Sequence, residues 1–236
     1  MTEAGMPEIE LFSTQFSPFA QRVRLALLEK GIEFWHTEVD LANKPEWFLV
    51  ISPRGEVPVI RHEDRFVADS TVILEYLEDV YPTPPLRPRD PGKRALSRMW
   101  TEFADEKLAP AMVAAITAEG ETRVAACAKL RDVLLAVERE GLARCGRGPY
   151  WLGEELSMLD IVFYPLFERL PAIQNDQASG LPLLSIRLRH WFDAMSERAA
   201  VQATRNPVET HVQAMKSYLG MKPHRRRVGN VEYLHA

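Results

Sequence analysis

Phe16-Ser17-Pro18-Phe19-Ala20-Gln21-Arg22-Val23-Arg24 is the stretch from which the rest of the chain can be read. A strand-like run, Ile9 to Phe12, ends just upstream, and a helix is predicted to begin inside the stretch and to stop at Gly31. Proline in a first helical turn supplies a suitable φ and lacks the amide hydrogen that would go unpaired there. The serine before it is a favoured N-cap. Phe19, Val23, Ala26 and Leu27 recur at helical spacing and give the helix one apolar face. A hydroxyl at the positive end of a helix dipole, beside unpaired amides, suits an anion or a thiolate. It is equally an ordinary capping position, and the remaining chain has to decide between the two.

Downstream, Phe34 to Val39 alternates as a second strand and Pro45 to Val50 suits a short helix. The run Pro53-Arg54-Gly55-Glu56-Val57-Pro58-Val59-Ile60 reads as a turn entering a strand. Its second proline suits the strand start, as a cis bond, better than a central position. Arg65 to Ala68 pairs back through the His62-Glu63-Asp64 turn. Asp69-Ser70-Thr71 then opens a helix with Val72, Ile73, Tyr76, Leu77 and Val80 on its apolar side. This β-α-β-α-β-β-α order describes a small α/β unit over residues 8–81, after a tail at 1–7.

Residues 82–92, PTPPLRPRDPG, hold five prolines in eleven positions and read as a linker. The pattern beyond is helical, over 93–220. A long segment at 93–118 should kink at Pro110, and a second at 121–140 should stop at Gly141. Ser157-Met158-Leu159-Asp160 forms a capping box with aspartate as the acid, stapled by Leu156 and Ile161. The helix behind it is apolar on nearly every side and should be the buried centre of this half. Leu184 to Glu197 is a further helix. Asn206-Pro207-Val208-Glu209 starts the last one, which stops at Gly220. Residues 221–236, with His224-Arg225-Arg226-Arg227, have no periodicity and read as a mobile tail.

Composition narrows the function classes. The chain has 236 residues and a net charge of −4, which gives no general case for nucleic acid or an anionic membrane. No apolar run has transmembrane length. The acidic start MTEAGMPEIE lacks the features of a signal peptide, so a cytoplasmic location is expected. Cys127 and Cys145 have no metal-like or CxxC spacing and read as free thiols, and the six histidines are scattered. No metal site is expected.

An α/β unit, a proline-rich linker and an all-α second half together resemble the cytosolic glutathione transferases, which join a thioredoxin-like N-terminal domain to an all-α C-terminal domain. Four matches carry the resemblance over about residues 8–218. SPFAQRVRLALLEKGI at 17–32 is close to the tau-class pattern and to the CPFAER pattern of the omega class. NKPEWF at 43–48 is omega-like. PRGEVPVI at 53–60 is similar to the turn before the family's cis-proline. Asp69-Ser70 stands where the family usually has Glu-Ser or Gln-Ser. In the helical half, LSMLDI at 156–161 matches the family's buried capping box.

The resemblance implies glutathione as co-substrate, a small hydrophobic electrophile as its partner, and a homodimer. It places the thiolate at Ser17, with Thr14 as the reserve hydroxyl, since some classes use an earlier position in this loop. It implies that Val57, ahead of Pro58, presents main-chain groups to the cysteinyl unit. Ser70 and Asp69 would take the γ-glutamyl carboxylate and ammonium, and Lys44 the glycyl carboxylate. Each has a plainer reading as a strand-entry turn, an N-cap or a solvated charge. A substrate pocket is expected from Phe19, Trp100, Phe103, Ala104, Lys107 and Trp191, residues equally suited to a core. Arg22 and Arg24 either add positive field or form surface or interdomain salt bridges.

Serine at position 17 departs from the omega class, which has cysteine there and works through mixed disulfides. Serine forms none, so conjugation or other chemistry of the glutathione thiolate itself is expected. A second reading comes from YPTPPLRP and PYWLGEELSMLDIVFYPLFERLP, which are similar to the stringent starvation protein A family. Those proteins share the fold, lack the transferase activity and bind RNA polymerase. A third, thiol-disulfide exchange, is opposed by the absence of any cysteine before residue 127.

Overall fold

The computed structural model describes residues 8–145, 147–174, 180–181 and 184–220. The tails expected at 1–7 and 221–236 lie outside these residues. The first unit contains β1 (Ile9–Ser13), α1 (Pro18–Glu29), β2 (Phe34–Glu38), α2 (Glu46–Ile51), β3 (Val59–His62), β4 (Arg65–Ala68) and α3 (Ser70–Val80). Its sheet runs in the order β2-β1-β3-β4. β1 pairs parallel with β2 and antiparallel with β3, and β4 returns antiparallel along β3. This is the expected thioredoxin-like arrangement.

Successive side chains leave a strand on opposite faces, which here creates two cores. Ile9, Leu11 and Ile60 pack with Val23, Leu27, Ile73 and Leu77 of α1 and α3. Phe12 and Val59 pack with Phe48 of α2 and Val39. The buried stripe of α3 runs through Ser70, Ile73, Leu74, Leu77 and Glu78. Val72 and Val80, expected inside, are 53% and 39% exposed. Two polar residues disguise the true stripe. Ser70 meets Arg22, while Glu78 is paired with Lys30 at 2.5 Å and accepts the backbone amides of Leu86 and Arg87.

The linker is therefore held in place. Leu86 is buried, and its carbonyl accepts from the Met158 amide at 2.8 Å. Its last two residues are already helix: Asp90 caps α4 (Pro91–Phe103), accepting from the Lys93 amide. A π-helical turn (Ala104–Leu108) leads from there into α5 (Ala109–Thr117). In that turn the Ala109 amide reaches back five residues to the Ala104 carbonyl. Pro110, where a kink was expected, falls in the first turn of α5, directly after this π-helical turn.

The rest comprises α6 (Gly120–Ala136), a second π-helical turn (Val137–Leu142), and α7 (Ala143–Cys145). Then follow α8 (Met158–Glu168), α9 (Leu170–Gln174), α10 (Ile186–Ser196), α11 (Ala199–Thr204) and α12 (Val208–Gly220). Gly141 does not stop its helix as expected. It lies inside the π-helical turn, and a Cβ there would stand 3.1 Å from the rings of Trp100 and Trp151. This glycine makes room for two indoles. Every residue of α8 is buried, and the capping box at Ser157 and Asp160 is present. Helices α8 and α11 pack on α1, the helix that the Ser17 loop leads into.

Candidate functional site

Strand register decides which of the expected residues meet. β1 and β3 are antiparallel with Phe12 opposite Val59, so the loop that follows β1 and the Val57–Pro58 turn that precedes β3 lie at the same sheet end. β3 and β4 pair Val59 with Ala68, which carries Asp69 and Ser70 to the same sheet end. The Val57–Pro58 peptide is cis. Lys44 arrives by another route: Gly55, at φ +62°, has space where a Cβ would stand 3.0 Å from both Cδ and Nζ of Lys44. Only glycine tolerates that φ and that proximity. Ser17, Val57, Pro58, Asp69 and Ser70 thus border one end of the sheet, around the N-termini of α1 and α3, and Lys44 lies against Gly55 in the turn that leads to Val57–Pro58.

Ser17 is 6% exposed and caps α1, its Oγ accepting from the Ala20 amide at 3.2 Å. That bond uses an oxygen lone pair and leaves the hydroxyl proton to donate elsewhere. Thr14 is differently committed. Its hydroxyl donates to Glu38 at 2.8 Å, on the β2 side of β1 and away from Val57–Pro58. The neighbouring Ser13 is fully buried against His36. Burial pushes the His36 pKa down against the pull of Glu38. His36 meets Ser13 and Glu38 through the same Nε2, so the three are not arranged as a catalytic triad.

Asp69 adopts φ +75° and caps α3 through Oδ1, which accepts from the amides of Thr71 and Val72. Ser70 Oγ lies 3.4 Å from Arg22 Nη1. That guanidinium is fully buried and holds Asp105 of the first π-helical turn at 2.7 Å, the Val162 carbonyl at 3.0 Å and the Phe19 ring at 4.8 Å. Asp105 also accepts from the Thr71 hydroxyl at 3.1 Å. Burial pushes the Arg22 pKa down and Asp105 pushes it back, so the carboxylate offsets part of the cost of burying the cation. Of the two readings of Arg22, it is the interdomain salt bridge that the structure contains. Arg24 turns to the Gln15 carbonyl at 3.1 Å.

Next to the Ser17 loop lies an apolar cavity of about 100 Å³. Phe16, Pro18 and Phe19 form one wall, Met112, Val113 and Ile116 of α5 the second, and Arg169, His211 and Met215 the third. Phe19 lines this cavity. Trp100, Phe103, Ala104, Lys107 and Trp191 do not line it. Trp191 is fully buried and donates Nε1–H to Asp160, Trp100 packs against Phe103 and Trp151, Ala104 is in the core, and Lys107 faces solvent. The cavity wall comes from α5, beyond the π-helical turn, and not from α4.

Among the described residues there is no group of three or more potential metal ligands, and no helix is long and apolar enough to cross a membrane. The family profile described as glutathione S-transferase, N-terminal domain, matches residues 11–85. The omega-1 glutathione S-transferase of Sus scrofa is 35% identical over 199 residues, covering 83% of this chain and 79% of that one. A tau class glutathione S-transferase of mango, Mangifera indica, superposes with a TM-score of 0.80 at 25% identity, covering 90% and 98% of the two chains. A rice GST solved in complex with glutathione superposes equally, at 0.80 and 27% identity, covering 92% and 98%.

Proposed function

This chain belongs to the glutathione S-transferase family, and we propose that it activates glutathione with a serine hydroxyl for attack on a small hydrophobic electrophile. The observation that carries the reading is the shared sheet end. One strand register aligns the Ser17 loop, Val57–cis-Pro58 and Asp69–Ser70. A peptide laid along Val57 would bond to its main chain in β fashion. Its γ-glutamyl carboxylate would meet the α3 N-terminus at Ser70, its ammonium the free Oδ2 of Asp69, and its glycyl carboxylate Lys44. Its thiol would then come to the N-terminus of α1.

At that point the chemistry is electrostatic. A free thiol has a pKa of about 8.5, so only a few per cent is ionised at neutral pH. The Ser17 proton and the helix-terminus amides favour the thiolate, which is the nucleophile. Sulfur attacks the electrophilic carbon, a carbon–sulfur bond forms, and the leaving group departs with its electron pair. The adjoining apolar cavity suits an uncharged electrophile.

The test is retention of the chain on immobilised glutathione together with turnover of a generic aryl halide. Retention and turnover are expected. A protein that is neither retained nor active would return the reading to a transferase-fold adaptor. A cytoplasmic homodimer belongs to the same proposal, on the strength of the family, and elution at the mass of one chain, 26.9 kDa, would remove the dimer.

A further inference from the structure

The peptide unit joining Phe16 to Ser17 is planar, so its carbonyl and amide turn together. Its amide end donates to the Thr14 carbonyl at 3.2 Å. Its carbonyl end accepts from Arg169 Nη2 at 3.0 Å, across 153 positions of sequence. The preceding carbonyl, of Gln15, is held separately by Arg24 at 3.1 Å and Asn206 at 3.4 Å. Arg169 Nη1 also donates to Gln21 Oε1 at 2.8 Å and to the Pro165 carbonyl at 2.6 Å. The amide of Gln21 in turn binds the Ser17 carbonyl at 3.0 Å. One guanidinium therefore grips the peptide plane in front of Ser17 and the side chain one turn behind it.

The grip is built to be stiff. Arg169 is 6% exposed, and its planar fork leaves little freedom once several donors are engaged. Its charge is compensated by Glu168 at 3.6 Å, which also accepts from Gln21, Tyr164 and His211. The same guanidinium lines the cavity beside Phe16 and Pro18.

We infer that Arg169 is a positioning residue for Ser17, holding the Phe16–Ser17 peptide plane and thereby aiming the Ser17 hydroxyl. The plane sets φ of Ser17, and φ sets where its Cβ and hydroxyl point. Arg169 itself does no proton transfer. The inference rests on the proposed role of Ser17.

The test is a double-mutant cycle read by ultraviolet absorbance of the bound glutathione thiolate against pH, with kinetics alongside. Arg169→Lys keeps a cation near Glu168 but cannot fork to Phe16 and Gln21 together. It should raise the thiolate pKa by about one unit and lower kcat roughly tenfold, with the KM for glutathione within about threefold. Added to Ser17→Ala, the same change should shift the pKa hardly further, because residues acting as one unit are not additive. Arg169→Gln removes the charge beside Glu168 as well as the fork, should shift the pKa at least as far as Lys, and carries the cycle if the Lys variant does not fold. Full additivity in the double variant, or an unshifted pKa in both Arg169 variants, overturns the positioning role. A Ser17→Ala variant with an unshifted pKa instead overturns the serine reading beneath it, so the two failures are distinct.

Discussion

Ser17→Ala should lower turnover by about 10- to 100-fold, because one hydrogen bond to a charged group contributes roughly 1.5–3 kcal/mol. The KM for glutathione should stay within about threefold, since main-chain and carboxylate contacts made by other residues carry the binding. The pH dependence separates this from general damage. Losing the hydroxyl raises the thiol pKa toward its free value, so the alkaline rise in kcat/KM should move up by about one unit or more. Activity does not vanish, because the α1 N-terminus still offers its amides. The Ala20 amide also loses its cap, which should cost about 1 kcal/mol of stability and is measured separately by denaturation. Thr14→Val is the control: its hydroxyl is committed to Glu38, and the thiolate profile should not move. An unchanged profile in Ser17→Ala would hand the role to backbone amides. A shift in Thr14→Val would hand it to the reserve hydroxyl.

The parts of this site that were legible in the sequence are those set by local rules. Ser17-Pro18, Asp69-Ser70 and Ser157 to Asp160 each announce a helix start, and the structure has helix starts there. A proline inside a short β run announced the turn at Val57–Pro58. The lining of the apolar cavity was less legible. Reading residues 93–118 as a segment kinked at Pro110 gave Trp100, Phe103 and Lys107 as a pocket wall, whereas the apolar cavity beside Phe16 is lined by Met112, Val113 and Ile116. Aromatic residues drew the eye for the same reason that they form cores, namely their large apolar area. Gly141 looked like a stop and is a packing contact. Asp105 and Arg169 carried no readable signal, because their partners lie 83 and 153 positions away and only the fold brings them in.

The largest stability effect is expected far from the sulfur, at Asp160. Its fully buried carboxylate accepts four hydrogen bonds: from the Trp151 amide at 2.7 Å, the Ser157 amide at 2.8 Å, the Ser157 hydroxyl at 2.7 Å and Trp191 Nε1 at 2.8 Å. Burial pushes its pKa up while those donors pull the other way. Asp160→Ala removes the acceptor and strands several donors in a site without water access, each costing about 1–3 kcal/mol. It also uncaps α8, the helix that carries Glu168 and leads into Arg169. The sum should reach about 3–5 kcal/mol, which for a chain of this size lowers the melting temperature by roughly 10 °C. Asp160→Asn keeps the shape, but its amide hydrogens face donors, so it should recover only part of the loss. The expected signature is a lower melting temperature in both variants, with Ala below Asn. A shift of under about 2 °C in Asp160→Ala would mean that the box is not what holds α8. A loss of that size would place an anchor of the Ser17 loop in the second half of the chain, since α8 packs against α1 and supplies its buried Glu168 to Gln21.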